Sequence, residues 1–445
     1  MTGTWSHMTA TDLGRAIEAG KVNPVELVEY FLAEIDAHPH RDRIYARTTA
    51  PRARAEAMAA AARAKSGLRR HALDGVPLSW KDLFDTAGTP TEAGSALLKH
   101  RTPLQDASVL QVATLMGSVC IGKTHMSELA FSGLGLNPVT ATPPCINDPN
   151  AVPGGSSSGA AASVAYGIAP AAVGSDTGGS VRIPAAWNDL VGLKTTHGRL
   201  SLQGVVPLCE SFDTVGPLAH TVADCAAVLS LLEGRHAPDL APQLASLSGL
   251  RLAVLETLAL DDLRDRPARG FDDALTRLAR AGASITRITA PEVTEALTLA
   301  GTLVAPEAYA IWAETIEAAP QLMFPRILER FRTGALTKAH DHIAAWRRLR
   351  VLRAAYNARV AGFDAVLIPS SPILPPHAQR LMTDEAYYVT ENLLALRNTR
   401  IGNLLDQCAL TLPTSEPSCG LTLMAGPGRE YRLLALGLGA EAALR

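Results

Sequence analysis

Three residues carry the chemistry this sequence can offer: two serines in Gly/Ser-rich stretches and one lysine upstream of both. The first stretch, PGGSSSGAAASVAYG (153–167), holds Ser156, and the second, VGSDTGGSVRIPAAW (173–187), holds Ser180. The lysine is Lys81, in the apolar segment LDGVPLSWKDLFDTAG (73–88). A hydroxyl attacks an acyl carbon only if one group takes its proton and others hold the developing oxyanion. These segments can supply both, and the residue types point to a serine hydrolase whose base is a lysine rather than a histidine.

Each segment also has a plainer reading. AAVGSD (171–176) reads as a buried strand and TGGS (177–180) as the tight turn after it. Gly178 and Gly179 let the backbone adopt positive φ and bring successive N–H groups to one point, which is what an oxyanion hole requires. Each such donor contributes roughly 10²–10³ in rate. The same four residues also make an ordinary β-turn. Ser156, Ser157 and Ser158 precede an alanine-rich helix and can cap it or cradle an anion there, although no GK[ST] follows. GSSSG (155–159) also matches the GxSxG nucleophile elbow, which needs a strand directly before it; the chain has the turn-forming run NDPNAVPG (147–154) instead. Lys81 lies among Val76, Leu78, Trp80, Leu83 and Phe84. As a base it must be neutral part of the time, and lowering its pKa from about 10.4 to about 7.5 corresponds to roughly 4 kcal/mol. Its alternative role is an ion pair with Asp82 or Asp85.

Composition excludes several classes. The chain has 445 residues, 47% hydrophobic and 19% charged, which is the profile of a globular enzyme with ample core. A net charge of −2 provides no field for a polyanion, so no nucleic-acid partner is expected. The N-terminal MTGTWSHMTATDLGRAIEAG lacks the apolar run of a signal peptide. The apolar stretch 160–174 is broken by Gly167 and Pro170 and is too short to span a bilayer, so no membrane partner is expected. Cysteines 120, 145, 209, 225, 408 and 419 form no CxxC pair and are expected to be buried thiols in a cytoplasmic protein. His340 and His342, two apart on a helix, face different directions. No HExxH and no SxxK occurs, which removes zinc peptidases and the penicillin-recognising Ser/Lys enzymes. Neither metal nor cofactor is expected.

These residues need elements to position them. Asn23-Pro24 is a helix start, and Val25, Leu27, Val28, Phe31, Leu32 and Ile35 continue at helical spacing to about His38. A second helix covers 50–64. From 73 to about 233, short apolar runs such as 119–122 and 171–176 alternate with Gly-rich turns and with helical stretches at 108–116 and 159–166, the texture of an α/β core. Beyond residue 250 come strand candidates at 250–256 and 363–369, with helical segments at 272–281 and 337–359 between them. No internal repeat and no disordered linker is found, and 234–249 is the best boundary candidate.

GVPLSWKDLFDTAG, GKTHMSELAFSGLGLNP, VPGGSSSGAAASVAYG, VGSDTGGSVRIPA, VGLKTTHGRLS and GVVPLCESFDTVGP together resemble the amidase signature family, densely from about 73 to 233 and weakly to the end through VLIPSSPILPP (366–376) and GNLLDQCALTLPT (402–414). The resemblance implies a single α/β domain over 1–445: a twisted mixed sheet of about eleven strands covered by helices on both faces, the catalytic core in 73–233 and a variable substrate-pocket half in 250–445. It implies Ser180 as nucleophile, Ser156 as bridging serine behind a cis Gly155–Ser156 bond, and Lys81 as base. It further implies an oxyanion hole from the N–H groups of Thr177, Gly178, Gly179 and Ser180. Met126, Ser127, Ser157, Asp176 and Arg182 are carried over as substrate-binding candidates.

The implied activity is hydrolysis of a small carboxamide to carboxylate and ammonia through an acyl-enzyme. The alternative is the glutaminase subunit of a tRNA-dependent amidotransferase. Partners are then a small amide and either a second copy of the chain or amidotransferase subunits. A non-catalytic anion-binding module on the Gly/Ser loops is a rival of another class. The sequence departs from the family pattern at Val139, Thr140, Ala141 and Cys145, at WNDLVG (187–192) and at Thr195. The loop near residue 140 usually helps line the pocket, so the lining is expected to differ, with further pocket residues from variable loops after 300.

Overall fold

The computed structural model describes residues 5–236 and 247–445. Most of the boundary candidate at 234–249 therefore lies outside the described residues. The eleven strands are β1 Tyr45–Thr48, β2 Pro77–Lys81, β3 Val119–Thr124, β4 Ala171–Ser175, β5 Val191–Lys194, β6 Val215–Ala219, β7 Arg251–Leu255, β8 Ser284–Ile288, β9 Ala365–Pro369, β10 Cys408–Pro413 and β11 Gly420–Ala425. They join one sheet in the order β1-β3-β2-β4-β6-β5-β10-β11-β9-β7-β8. The sheet is mixed. β2 runs parallel to both β3 and β4, β7 runs parallel to β8 and β9, and the other pairings are antiparallel. An α/β domain with an eleven-stranded mixed sheet is what the family resemblance implied.

The central strands are buried along their whole length, as expected where helices cover a sheet. The anticipated helices form close to their expected bounds, except that the one expected at 272–281 begins seven residues earlier, as Asp265–Arg280. Pro24–Ala37 starts on Asn23, whose side chain accepts from the Val25 N–H at 2.9 Å, a cap worth about 1 kcal/mol. The helix Ser158–Ala165, SGAAASVA, is built almost wholly of small residues and packs on β4. Ala160, Ala161 and Val164 form a small apolar cluster there with Ala172, Val181, Ala185, Leu190 and Leu218. That close approach fixes the site, because Ser156 and Ser157 lie at the start of this helix while β2 and β4 end side by side.

The helices of the second half include Pro291–Ala318, Pro325–Arg332, Ala339–Val360 and Glu385–Leu404. Arg348 to Glu295 and Arg359 to Glu292 tie the two longest together. Pro291–Ala318 is long and apolar enough, by length and composition, to cross a bilayer; it was not anticipated from the sequence.

Candidate active site

Lys81 is the last residue of β2 and Ser175 the last of β4, and the parallel register Ser79↔Ala172, Trp80↔Val173 sets these ends side by side. Lys81 is fully buried. Its Nζ meets Ser156 Oγ at 2.6 Å and Ser175 Oγ at 2.8 Å. The Gly155–Ser156 peptide bond is cis. The carboxylates adjacent in sequence are occupied elsewhere. Asp82 takes Arg47 at 2.8 Å and Lys123 at 3.2 Å, and Asp85 takes both Nη groups of Arg101 at 2.6 and 2.9 Å. The ion pair with Asp82 or Asp85, the alternative role for Lys81, does not occur. Burial pushes the Lys81 ammonium down to about 7, while the carboxylates of Asp213 and then Asp176 pull in the opposite direction.

The segment leaving β4 carries Ser180, which is almost fully buried. Among the described residues its Oγ makes no hydrogen bond within the protein. Beneath it, Asp176 and Arg182 form a fully buried pair at 2.9 Å. Asp176 also accepts from the N–H of Gly179 at 2.8 Å and of Val181 at 3.2 Å, and from Asn403 at 2.9 Å. Burial works against ionising Asp176, yet the Arg182 guanidinium and then Lys194 and Asn403 hold its carboxyl well below the usual range. Arg182 is anchored in turn on Thr399 O at 2.8 Å and Asn403 Oδ1 at 2.6 Å.

The Gly179 N–H is thus already committed to Asp176. The N–H groups of Thr177, Gly178 and Ser180 meet no acceptor among the described residues. Of the two glycines, Gly179 uses the freedom to take positive φ, at +137°, and Gly178 does not. A Cβ at Gly179 would fall 2.1 Å from Thr399 Oγ1, so side-chain packing as well as backbone geometry requires glycine there.

A cavity of about 330 Å³ opens over Thr177, Gly178 and Ser180. Its walls are mostly apolar, among them Phe131, Phe212, Leu297, Val304, Leu393 and Leu396, with Arg330 and Arg400 also in the lining. After residue 300 the lining comes from helices, where variable loops were expected. None of Met126, Ser127, Ser157, Asp176 and Arg182 lines the cavity. Met126 is buried and its carbonyl accepts from Asn137 at 2.8 Å. The Ser127 N–H donates to Ser156 O at 3.1 Å, and its buried Oγ has no partner among the described residues. The Ser157 N–H donates to Ser180 O at 3.2 Å and its Oγ to Ser175 O at 3.2 Å, so Ser157 ties the end of β4 to the loop that carries Ser180.

No strand precedes Ser157, which removes the nucleophile-elbow reading. The atypical 139–145 loop is also absent from the cavity lining. Cys145 is buried with its Sγ on Trp187 O at 3.2 Å. Asn188 ties its surroundings together, donating to Pro153 O and Pro184 O and accepting from Ile146 N–H. Thr195 donates to Val215 O at 2.8 Å.

Two members of the site were not singled out from the sequence. Ser175 is the second hydroxyl on Lys81. Asp213 accepts from Thr177 Oγ1 and from the N–H groups of Leu208 and Cys209; burial pushes its carboxyl up to about 6 against those bonds and the Lys81 charge. Both lie inside quoted blocks, VGSDTGGS and GVVPLCESFDTVGP, where Ser175 follows Gly174 and Asp213 sits between Phe212 and Thr214.

Comparison with known proteins gives the family. The family model described as Amidase matches residues 26–434. The 2-amino-5-chloromuconic acid deaminase of Comamonas testosteroni is 35% identical over 98% of this chain and 97% of its own length. A glutamyl-tRNA(Gln) amidotransferase subunit of Anaeromyxobacter sp. (strain K) is 40% identical over 63% of this chain and 59% of its own length. A crystal structure of an amidase superposes with a TM-score of 0.85 at 30% identity, over 98% of this chain and all of the other. The chain belongs to the amidase signature family and is an amidohydrolase, a hydrolase of C–N bonds.

Proposed function

We propose that this protein hydrolyses a small carboxamide to a carboxylate and ammonia through a serine acyl-enzyme. Ser180 Oγ bonds to the amide carbon as its proton passes to Ser156 and the Ser156 proton passes to neutral Lys81. The N–H groups of Thr177, Gly178 and Ser180 receive the oxyanion. Collapse breaks the C–N bond, and the proton returns through Ser156 to the leaving nitrogen, which departs as ammonia. Water then repeats the relay, cleaves the ester and regenerates the Ser180 hydroxyl. The observation that carries this reading is the buried Lys81, 2.6 Å from Ser156 Oγ and without a carboxylate pair among the described residues.

The test is ammonia release by the purified protein from a panel of aliphatic, aromatic and amino-acid amides, with fluorophosphonate labelling read by peptide mapping. Labelling at Ser180, and loss of several orders of magnitude in kcat for Ser180→Ala with the fold intact, are expected. Labelling at Ser157, or substantial activity in Ser180→Ala, would overturn the assignment. The relative named as a deaminase adds an amino-substituted unsaturated acid to the panel.

A second reading is a glutaminase that feeds ammonia to amidotransferase partners, and the similarity to the amidotransferase relative favours it. Glutamine hydrolysis only in the presence of added partner subunits would support it; ammonia release by the protein alone supports the first. The six cysteines, all buried and unpaired, fit a reducing cytoplasm.

A further inference from the structure

The two cations in the cavity wall have no counter-charge. Arg330 comes from Pro325–Arg332 and Arg400 from Glu385–Leu404, and both side chains line the cavity. Among the described residues no carboxylate pairs with either. Of the other arginines on the helices of the second half, Arg332 pairs with Glu317, Arg348 with Glu295 and Arg359 with Glu292, while Arg326 and Arg353 meet backbone carbonyls. A guanidinium in mostly apolar surroundings is costly unless an anion meets it.

The Arg330 guanidinium is also held in place. Arg330 donates to Phe131 O at 2.8 Å and lies over the Phe131 ring, 4.2 Å from its centre, which leaves most of its N–H groups free. The Arg400 stem passes beside the donor loop: a Cβ on Gly178 would sit 3.5 Å from Arg400 Cγ. Burial lowers the pKa of both, and for Arg400 the like charge of Arg330 adds to the effect. Guanidinium nonetheless stays protonated near neutral pH. Two cations thus repel each other beside Ser180, an arrangement that an incoming anion relieves.

We propose that Arg330 and Arg400 form an anion subsite, and that the substrate is a carboxamide bearing a carboxylate of its own. This rests on the amide-hydrolysis reading above and names its substrate class. A planar carboxylate matches the guanidinium fork. The volume of about 330 Å³ suits a small acid, at the lower end of the usual ligand-pocket range of about 300–1,000 Å³. No Asp or Glu lines the cavity among the described residues. An α-ammonium would find no counter-charge there, so the class is the monoamide of a dicarboxylic acid rather than glutamine or asparagine.

The test compares glutaramate, valeramide and glutamine, which share a chain length but differ in charge. Their binding to Ser180→Ala protein is measured by calorimetry and their kcat/KM on the wild-type enzyme by ammonia release. Glutaramate is expected to be preferred over valeramide by roughly 10- to 100-fold, the strength of charge-assisted hydrogen bonds. Arg400→Gln should collapse that ratio, and Arg400→Lys should keep part of it. Arg330→Gln, checked for folding by melting temperature, should act likewise.

Equal use of valeramide, a preference for glutamine, or an unchanged ratio in Arg400→Gln would overturn the subsite while leaving amide hydrolysis standing. Arg400-dependent binding of glutaramate without ammonia release from any amide would keep the subsite and overturn the hydrolysis reading. Absence of binding by all three would overturn the subsite.

Discussion

Lys81 Nζ lies 2.6 Å from Ser156 Oγ, at the end of a buried strand whose neighbouring carboxylates, Asp82 and Asp85, are both taken by other cations. A neutral amine has two N–H groups and one lone pair. With Ser175 Oγ at 2.8 Å as one acceptor, the lone pair is available to receive the Ser156 proton. An ammonium in the same place could only donate. In the proposed relay, the protonation state of this buried nitrogen therefore decides whether Ser156 can hand on its proton.

The first prediction concerns that proton. With the Lys81 pKa pushed down to about 7, kcat/KM should rise with pH through about 7 and level off above it, because the neutral form is the base. Lys81→Ala should be nearly inactive. Lys81→Arg should also be inactive, since guanidinium does not release its proton in this range. Ser156→Ala should be severely impaired, though less so if water replaces its hydroxyl. A pH–rate profile for each variant is the check, and an active Lys81→Arg enzyme would end the lysine-base reading.

The same burial has a stability consequence. An unfolded lysine titrates near 10.5, the folded one near 7, so between these values the unfolded chain holds more protons than the folded one. The destabilisation from Lys81 is fully present below about pH 7 and is relieved as pH rises, by about 1.4 kcal/mol per unit. Lys81→Met, which keeps the volume and removes the charge, should therefore be more stable than wild type, most of all at and below neutrality. Urea unfolding from pH 6 to pH 10 measures the gap. A gap that stayed constant, or widened with pH, would contradict a depressed Lys81.

The donor loop gives a paired substitution test. Gly179 has φ +137°, and a Cβ there would lie 2.1 Å from Thr399 Oγ1; at Gly178 a Cβ would make only ordinary contact, 3.5 Å from Arg400 Cγ. Gly179→Ala should lose both activity and several degrees of melting temperature, while Gly178→Ala should fold normally. Equal behaviour of the two would mean the loop is not held as described.

The reach of the sequence can be traced through these residues. Lys81, Ser156 and Ser180 stood out because a lysine among apolar residues and serines among glycines are locally unusual, and the strands and helices around them were legible from periodicity. Ser175 did not stand out, because its role depends on β2 and β4 being parallel neighbours, and sheet order is a long-range property that no local pattern encodes. Asp176 and Arg182 were carried over as substrate-binding candidates, whereas burial turns them toward each other to hold the loop. The cavity walls come from helices far along the chain, whose apolar faces read as core. Arg330 and Arg400 look like any surface arginines until their missing partners are noticed.

The last prediction concerns Asp213. Its carboxylate acts on Lys81 through space, favouring the ammonium, while Thr177 Oγ1 and two backbone N–H groups hold it in place. Asp213→Asn keeps the shape and an acceptor for Thr177 but removes the negative charge. The Lys81 pKa should then fall further, and the rising limb of the kcat/KM profile should move to lower pH, by on the order of one unit. Relative to its own plateau the variant should be more active than wild type at pH 6, even if the plateau itself is lower. A purely structural Asp213 would lower activity equally at every pH and leave the midpoint unchanged. A midpoint that moved upward would reverse the sign and show that another group, not Lys81, controls the limb. Profiles of wild type and Asp213→Asn in one buffer series, with melting temperatures at each pH, separate these outcomes.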